Sequence, residues 1–291
     1  MSNNNQIIAG IDEAGRGPLF GPVVACAVIF NEKIDITEIK DSKKISASKR
    51  QKVYDKLIQE NINYKIGIVN ANEIDEINIL NATKKAMLLA VNNLSIRPYK
   101  LLIDGNQLIK TSINQEAVVK GDQKVAEISA ASIIAKVKRD KIIESYNKIY
   151  PMFQLSKHKG YGTKLHFDLL NKYGPSEIHR QTFKPVSGMI NSNDMKKHES
   201  MPIIRFGINL INKGFNLKEL TINEVFSVIK YFNFDKTIYV LSLNKIRKDS
   251  VILNFIETIK EKDSVNKVRI DVIYSDDFSK NPKIKYSCKI Y

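Results

Sequence analysis

The chain has 291 residues, of which 43% are hydrophobic and 26% are charged, so it can form one sizeable core and still has room for a second small domain. This composition excludes an intrinsically disordered protein. Lys and Arg number 46 against 31 Asp and Glu, and the formal net charge of +15 favours a polyanionic partner such as nucleic acid. A solvated, Lys-rich surface explains the same charge, and the charge alone does not decide between the two.

The first residues, the lack of a long apolar stretch and the cysteines argue against several classes of protein. The first residues, MSNNNQ, are polar, and no stretch approaches the roughly 18 apolar residues of a membrane span, so we expect a cytoplasmic protein with no membrane partner. Cys26 and Cys288 lie far apart and have no His or Cys nearby in sequence. They indicate neither a disulfide framework nor a zinc site.

Short apolar segments alternate with segments of helical spacing over the first half of the chain. Strands are predicted at residues 6–11, 22–30, 64–69, 99–104 and 116–119, and helices at 46–60, 79–94 and 122–149. The longest helix carries small residues around Ser129 and Ser132, which we interpret as close packing on a sheet. This alternation predicts an α/β fold.

The composition changes after Pro185. Residues 187–201 are polar and show no sustained period, which is typical of a linker. Further on, a helix, a strand, a helix and a strand are predicted at 224–232, 237–243, 251–260 and 268–275. The sequence therefore predicts a first domain over residues 1–186, a linker over 187–201 and a small α+β domain of unknown function over 202–291.

Four acidic residues stand at the ends of predicted elements. Asp12 and Glu13 follow the first strand, Asp104 ends the fourth strand, and Asp122 begins the long helix. Because such ends gather at one edge of an α/β sheet, the four carboxylates are expected to converge. Each acid alone has an ordinary alternative: Asp122 as a helix N-cap, Asp104 as the start of a turn, and the adjacent pair as solvated turn residues.

Four convergent carboxylates repel one another and destabilise a fold unless cations share the site. Two divalent ions balance their charge, and oxygen ligands favour Mg²⁺ or Mn²⁺ over Zn²⁺. Such a pair of ions suits the hydrolysis of a phosphodiester. The sequence thus predicts a two-metal phosphodiesterase.

Several sequence blocks occur in an order that resembles a known family. The blocks are GIDEAGRGPLFGPVVACAV, DSKKIS, LLIDGN, VKGDQKVAEISAASIIAKVKRD and HKGYGT. From about residue 6 to Val186 the chain resembles bacterial ribonuclease HII. The resemblance implies a ribonuclease H-like fold, in which a mixed central sheet is flanked by helices and followed by a helical extension, and the predicted α+β domain lies beyond it.

The resemblance also implies an activity and a partner. It implies an endonuclease, expected as a monomer, that cuts the RNA strand of RNA/DNA hybrids and incises duplex DNA 5′ of embedded ribonucleotides. The implied products are a 3′-hydroxyl and a 5′-phosphate. The resemblance also implies a role in DNA replication and in ribonucleotide excision repair. The implied cofactors are two divalent cations, Mn²⁺ or Mg²⁺.

The family's site residues are carried over by motif. The implied catalytic and metal-binding residues are Asp12, Glu13, Asp104 and Asp122. The implied substrate-binding residues are the sugar-sensing loop Gly15, Arg16 and Gly17, the phosphate-binding Lys43, Lys44 and Lys159, and Tyr161, which sits against the sugar at the junction. For a lone Tyr or Lys in such a loop, the ordinary reading is a solvated surface residue.

Two departures from the family pattern and two other functions stay open. Phe20 stands where a small residue is usual and Gln181-Thr182 replaces Arg-Ser, which puts local packing and one phosphate contact in doubt. The other functions are a structure-specific DNA nuclease, such as a junction resolvase, and a catalytically idle hybrid-binding module. Residues 187–291 offer three interpretations: extra duplex binding, docking to the replication machinery, or a passive appendage.

Overall fold

The computed structural model describes residues 7–30, 46–222, 226–233, 236–243, 267–274 and 286–290. Lys43, Lys44 and the helix predicted at 251–260 lie outside these residues. The chain divides into two compact units, the first made of Met1–Asp140 with Ile178–Ser187 and the second of Lys141–Glu177 with Gly188–Tyr291. Residues 141–177, assigned to the first domain by sequence, thus group with the C-terminal residues. None of the described helices has the length and apolarity of a membrane span.

The first unit is built on a five-stranded mixed sheet. Its strands are β1 (Ile8–Ala14), β2 (Val23–Ile29), β3 (Asn63–Val69), β4 (Lys100–Asp104) and β5 (Asn114–Val118), in the order β3-β2-β1-β4-β5. The neighbours β1–β2 and β2–β3 are antiparallel, whereas β1–β4 and β4–β5 are parallel. The five predicted strands and the mixed sheet are confirmed.

Helices cover both faces of this sheet. They are α1 (Ala47–Gln59), α2 (Ala71–Asn92), α3 (Gly121–Lys124) and α4 (Ala126–Ile149). Strand β2 is buried on both sides: Ala25 and Ala27 belong to the core cluster with α2, and Cys26 and Val28 to the cluster with α1 and α4. Its seven apolar residues, VVACAVI, reflect this double burial, because a strand with one solvated face would alternate with polar residues.

Helix α2 begins earlier than the sequence predicts because it is two helices joined at a kink. Asn78 has φ 66° and ψ 163°, and its Oδ1 accepts hydrogen bonds from the backbone N–H groups of Leu80 and Asn81 at 3.0 and 3.1 Å. Asn78 therefore caps a new helical start, which falls at the predicted residue 79.

The second unit contains short helices and a second five-stranded sheet. The helical elements are the 3₁₀ turn Pro151–Phe153, α5 (Leu155–His158), α6 (Lys164–Tyr173), α7 (Asn193–Ser200) and α8 (Pro202–Asn212). The strands are β6 (Asn216–Ile222), β7 (Phe226–Asn233), β8 (Lys236–Leu243), β9 (Lys267–Tyr274) and β10 (Tyr286–Ile290), in the order β10-β9-β8-β7-β6. The strands predicted at 237–243 and 268–275 are confirmed, as is a separate α+β part.

One sequence prediction for this unit is wrong, and another segment contains a helix that the sequence did not predict. The helix predicted at 224–232 is a strand over residues 226–233, paired with β6 and β8, because its β-branched and aromatic residues suit a sheet. The linker predicted at 187–201 contains helix α7, in which the Ser192 hydroxyl accepts a hydrogen bond from the Met195 N–H at 3.1 Å. Met195 and Glu199, four residues apart, are buried.

Candidate active site

Strands β1 and β4 bring two of the predicted acids to the same edge of the sheet. Ile11 and Ile103 are register partners in the parallel pair, so Asp12 and Asp104 are the next residues along neighbouring strands. Asp12 is only 4% exposed, and one of its oxygens accepts the backbone N–H of Glu13 at 2.7 Å. The Ser132 hydroxyl on α4 also bonds the Asp12 carboxyl.

The pKa of Asp12 is raised well above its usual range, mainly by burial and next by the negative charge of Glu13. The Asp104 carboxylate adds to this rise, whereas hydrogen bonds from Ser132 and from the Glu13 N–H oppose it. A buried carboxylate in this field favours a positive partner.

Asp104 joins the end of β4 to the start of α3. Its Oδ1 accepts the backbone N–H groups of Gly121 at 2.7 Å and Asp122 at 3.4 Å. Asp122, in the first turn of α3, is fully buried. A Cβ at Gly121 would lie 2.6 Å from Ile128 Cδ1 and 3.2 Å from Val118 Cβ, so this turn packs closely against both side chains. Three separate chain segments thus bring their acids to one edge of the first sheet.

Three acids of this edge, Asp12, Glu13 and Asp104, are engaged with protein groups. The Glu13 carboxylate lies 3.6 Å from the Arg16 guanidinium, and Asp104 points to the amides of α3. Within the described part of the chain, no group of three or more His, Cys, Asp or Glu is arranged to hold a metal ion. The donor set is nonetheless all carboxylate, the chemistry that Mg²⁺ and Mn²⁺ prefer.

A glycine loop, residues 15–22, links the acidic end of β1 to β2. Gly15 and Gly21 have φ values of 99° and 82°, a region in which L-residues are strained. The Arg16 side chain is 49% exposed. Two arginines that the sequence analysis did not single out, Arg139 and Arg180, are fully buried against this loop.

Tyr161 lies in the second unit, on the tyrosine loop, residues 159–163, between α5 and α6. Its side chain is 42% exposed, and its backbone carbonyl accepts a hydrogen bond from His166 Nδ1 at 3.0 Å. His158 donates from Nε2 to the Phe153 carbonyl at 2.8 Å and accepts the Gly160 N–H at 3.2 Å. The two imidazole rings stack 4.3 Å apart, so these buried histidines support the loop through packing.

Lys159 begins the same loop. Its ammonium group lies 2.9 Å from the Glu144 carboxylate, so it pairs with a carboxylate of its own unit. The backbone of Lys159 is left-handed, with φ 51°. To make the predicted phosphate contact, the Lys159 ammonium group must bind Glu144 and the phosphate together, or leave Glu144.

The tyrosine loop should be sensitive to acid. Burial lowers the pKa of His166 to about 4 and also lowers that of His158. Because the folded pKa of His166 lies below an unfolded value near 6.5, its contribution to stability is complete above pH ~6.5 and is lost as the pH falls toward about 4. As the pH falls through this window, we expect the free energy of unfolding in urea to decrease less for His166→Asn than for wild type. The difference should be up to about 1.4 kcal/mol per pH unit.

His198→Asn is the matched control for that experiment. The His198 imidazole donates to the Ile149 carbonyl, outside the tyrosine loop, and its pKa is also lowered by burial. Both variants should flatten the dependence of stability on pH, but only His166→Asn should change the acid limb of the activity profile. Equal pH slopes for His166→Asn and wild type would contradict the expectation.

The departures from the family pattern have local structural explanations. Phe20 is fully buried, and its ring meets His179 edge-on at a centroid distance of 4.8 Å. Thr182 donates its hydroxyl to Asp75 at 2.6 Å, and the same carboxylate accepts the backbone N–H groups of Gln181 and Thr182 at 2.8 and 2.9 Å. Thr182 thus anchors the segment to α2.

The fold and the acidic edge define the class of protein. Ribonuclease H2 from Pyrococcus horikoshii OT3 has TM-score 0.52 and 32% identity, with 62% of this chain and 95% of that chain covered. The ribonuclease HII of a PCNA complex from Archaeoglobus fulgidus has TM-score 0.54 and 26% identity, with 61% and 95% covered. The chain thus shares the α/β fold of type 2 ribonucleases H.

The family follows from the sequence match. The ribonuclease HII model matches residues 9–186, and the chain belongs to this family. It is 50% identical over 182 residues to ribonuclease HII of Lactobacillus acidophilus, with 62% of this chain and 72% of that protein covered. Over 185 residues it is 50% identical to that of Francisella tularensis subsp. mediasiatica, with 64% and 99% covered. The chain is therefore a type 2 ribonuclease H, a hydrolase that cleaves RNA paired with DNA.

Proposed function

We propose that this protein is an endoribonuclease that hydrolyses the RNA strand of RNA/DNA hybrids and also incises duplex DNA 5′ of an embedded ribonucleotide. The observation that supports the proposal is that Asp12 and Asp104 lie near the ends of neighbouring strands and that Asp104 accepts the backbone N–H groups of Gly121 and Asp122, with Glu13 paired to the exposed Arg16. Negative charge concentrated there, in a chain of net charge +15, suits a site that handles phosphate through a cation.

The four carboxylates are the proposed ligands of two divalent cations, Mg²⁺ or Mn²⁺. When bound, such ions lower the pKa of a water molecule and stabilise negative charge on the phosphate. The raised pKa of Asp12, caused first by burial and then by Glu13, supports a cation as the missing counter-charge. The Ser132 hydroxyl orients Asp12, a role that the sequence analysis did not assign because Ser132 lies among alanines.

In the proposed reaction, a water oxygen bonds to phosphorus and the P–O3′ bond breaks. The O3′ atom takes a proton, so the products are a 3′-hydroxyl and a 5′-phosphate. Asp12 and Asp104 lie at the end of the sheet where the reaction takes place. Gly15, Arg16 and Gly17 contact the sugar and its phosphate. Arg16 can pass from Glu13, at 3.6 Å, to a phosphate oxygen when substrate binds.

Further substrate contacts are proposed from the family motif. Tyr161, with its side chain exposed, is proposed to lie against the ribose, and Lys159 to contact a phosphate. Lys43 and Lys44 are proposed phosphate contacts as well. One hydrogen bond to a 2′-hydroxyl contributes about 1 kcal/mol, which gives only about fivefold discrimination. Selectivity for a rare ribonucleotide therefore needs more than one hydrogen bond.

A panel of three labelled duplexes tests the proposal. The panel contains DNA with one ribonucleotide, all-DNA and an RNA/DNA hybrid, each with Mg²⁺, with Mn²⁺ and with chelator. We expect cleavage of the first and third duplexes only, on the 5′ side of the ribonucleotide in the first, and no cleavage with chelator. Cutting of all-DNA duplexes would favour a structure-specific nuclease, and binding without cutting would favour an idle module.

A further inference from the structure

We propose that Arg139 and Arg180 are positioning residues that hold the glycine loop, residues 15–22, with its backbone N–H groups turned toward the sugar of the substrate. The inference rests on the proposed function. Both side chains are fully buried, whereas most of the described basic residues of the first unit are exposed. Their guanidinium groups are directed at backbone carbonyls of one loop.

Arg180 reaches three carbonyls of the glycine loop. Its Nη2 donates to Gly15 at 2.6 Å, its Nη1 to Arg16 at 2.7 Å and its Nε to Gly21 at 3.0 Å. The planar guanidinium thus spans the first and last turns of the loop with donors in a fixed fork. The Phe183 ring lies 5.0 Å from the guanidinium carbon and stacks under the same group.

Arg139 supports the loop from α4. Its Nη2 donates to the Phe20 carbonyl at 3.1 Å and its Nε to the Pro22 carbonyl at 3.2 Å. A Cβ added at Gly15 would lie 2.1 Å from Arg139 Nε, so the loop backbone packs directly on this guanidinium. Together the two arginines bind five carbonyls of the loop.

These bonds decide where the loop's N–H groups point. In a trans peptide the C=O and the N–H of one peptide unit point in opposite directions. Since the carbonyls of Gly15 and Arg16 point into the guanidinium of Arg180, the N–H groups of Arg16 and Gly17 point away from it. Such fixed donors suit the oxygen of a 2′-hydroxyl, because preorganised groups discriminate best against a sugar that leaves them unpaired.

The backbone of Arg180 is itself fixed. Its N–H donates to the Leu19 carbonyl at 2.8 Å, and the Gly21 N–H donates to Ile178 at 3.0 Å. Asp75 then accepts both N–H groups of the next two residues. A buried guanidinium is costly to desolvate, and the loop carbonyls that it binds would lose their donors without it, so these bonds fix the conformation of the loop.

The test compares Arg180→Met with wild type on two single-substitution duplexes, one with a ribonucleotide and one with a 2′-fluoro nucleotide at the junction. Fluorine accepts hydrogen bonds poorly. The rate on the ribonucleotide duplex divided by the rate on the 2′-fluoro duplex, which we call the rate ratio, therefore reports the contact of the wild-type enzyme with the 2′-hydroxyl. We expect Arg180→Met to lower kcat on the ribonucleotide at least tenfold, to change KM less than threefold and to reduce the rate ratio at least tenfold. Arg180→Lys should recover part of the ratio.

A merely structural role predicts another result, because loss of folded enzyme lowers both rates equally and leaves the ratio unchanged. That unchanged ratio overturns the proposal. Thr182→Val, which removes the hydroxyl bond to Asp75 but keeps the guanidinium, is the control and should keep the wild-type ratio. If Arg180→Met does not fold, Arg139→Lys serves in the same assay. Failure of wild type to cut at the ribonucleotide would instead refute the proposed function.

Discussion

Replacing Asp12 with Asn should abolish cleavage and, with chelator present, should raise the free energy of unfolding. The activity loss follows from the removal of a proposed metal ligand, and we expect a rate decrease of about a thousandfold or more. The stability gain follows because burial first, and then the charges of Glu13 and Asp104, raise the pKa of Asp12. Asn keeps an oxygen that can accept the N–H of Glu13, so the gain should be on the order of 1 kcal/mol.

Chelator-treated protein in urea gives the stability, and the duplex carrying one ribonucleotide gives the rate. Glu116→Gln is the control, because Glu116 lies on β5 of the same sheet, is 55% exposed and pairs with Lys100. It should leave the rate unchanged and the unfolding free energy within about 0.5 kcal/mol. A chelated Asp12→Asn protein less stable than wild type would show that the carboxylate is held by favourable partners and not repelled by its neighbours.

The strands are well predicted because they carry strong local signals, and the same signals show which acids stand at strand ends. A run such as VVACAVI in β2 leaves no exposed face, and Asp104 directly ends such a run. Parallel pairing of β1 with β4 then brings Asp12 and Asp104 together without further information. For these residues, the local pattern and the topology of the sheet agree.

Other features depend on contacts that no local pattern reveals. Arg180 lies in a polar segment and resembles any surface Arg, yet its partners are carbonyls more than 150 residues away in sequence. Helix α7 has few buried residues, so its apolar period is too weak to distinguish it from a linker. Its Glu199 carboxylate accepts the Tyr150 hydroxyl at 3.1 Å and the Glu177 N–H at 2.8 Å, contacts that depend on the folded second unit.

Replacing Gly10 with Ala should cause one of the largest losses of stability available from a single methyl group in this chain. A Cβ at Gly10 of β1 would lie 2.3 Å from the backbone carbonyl carbon of Glu127 and the backbone N of Ile128, in the first turn of α4. Main-chain atoms cannot rotate aside, so helix and strand must separate, at a cost of about 3 kcal/mol or more. Alanine also lowers the conformational entropy of the unfolded chain, but this stabilises the folded protein by only about 0.4–1 kcal/mol.

The same displacement should lower activity, since α4 also carries Ser132, whose hydroxyl bonds Asp12. Urea unfolding of Gly10→Ala is best compared with Gly188→Ala, where φ is +88° and no atom lies within 4 Å of the new Cβ. That control carries backbone strain without a collision and should lose only about 1–2 kcal/mol. If Gly10→Ala proves no less stable than Gly188→Ala, β1 and α4 do not approach as closely as this site requires, and Asp12 loses the support that we assign to Ser132.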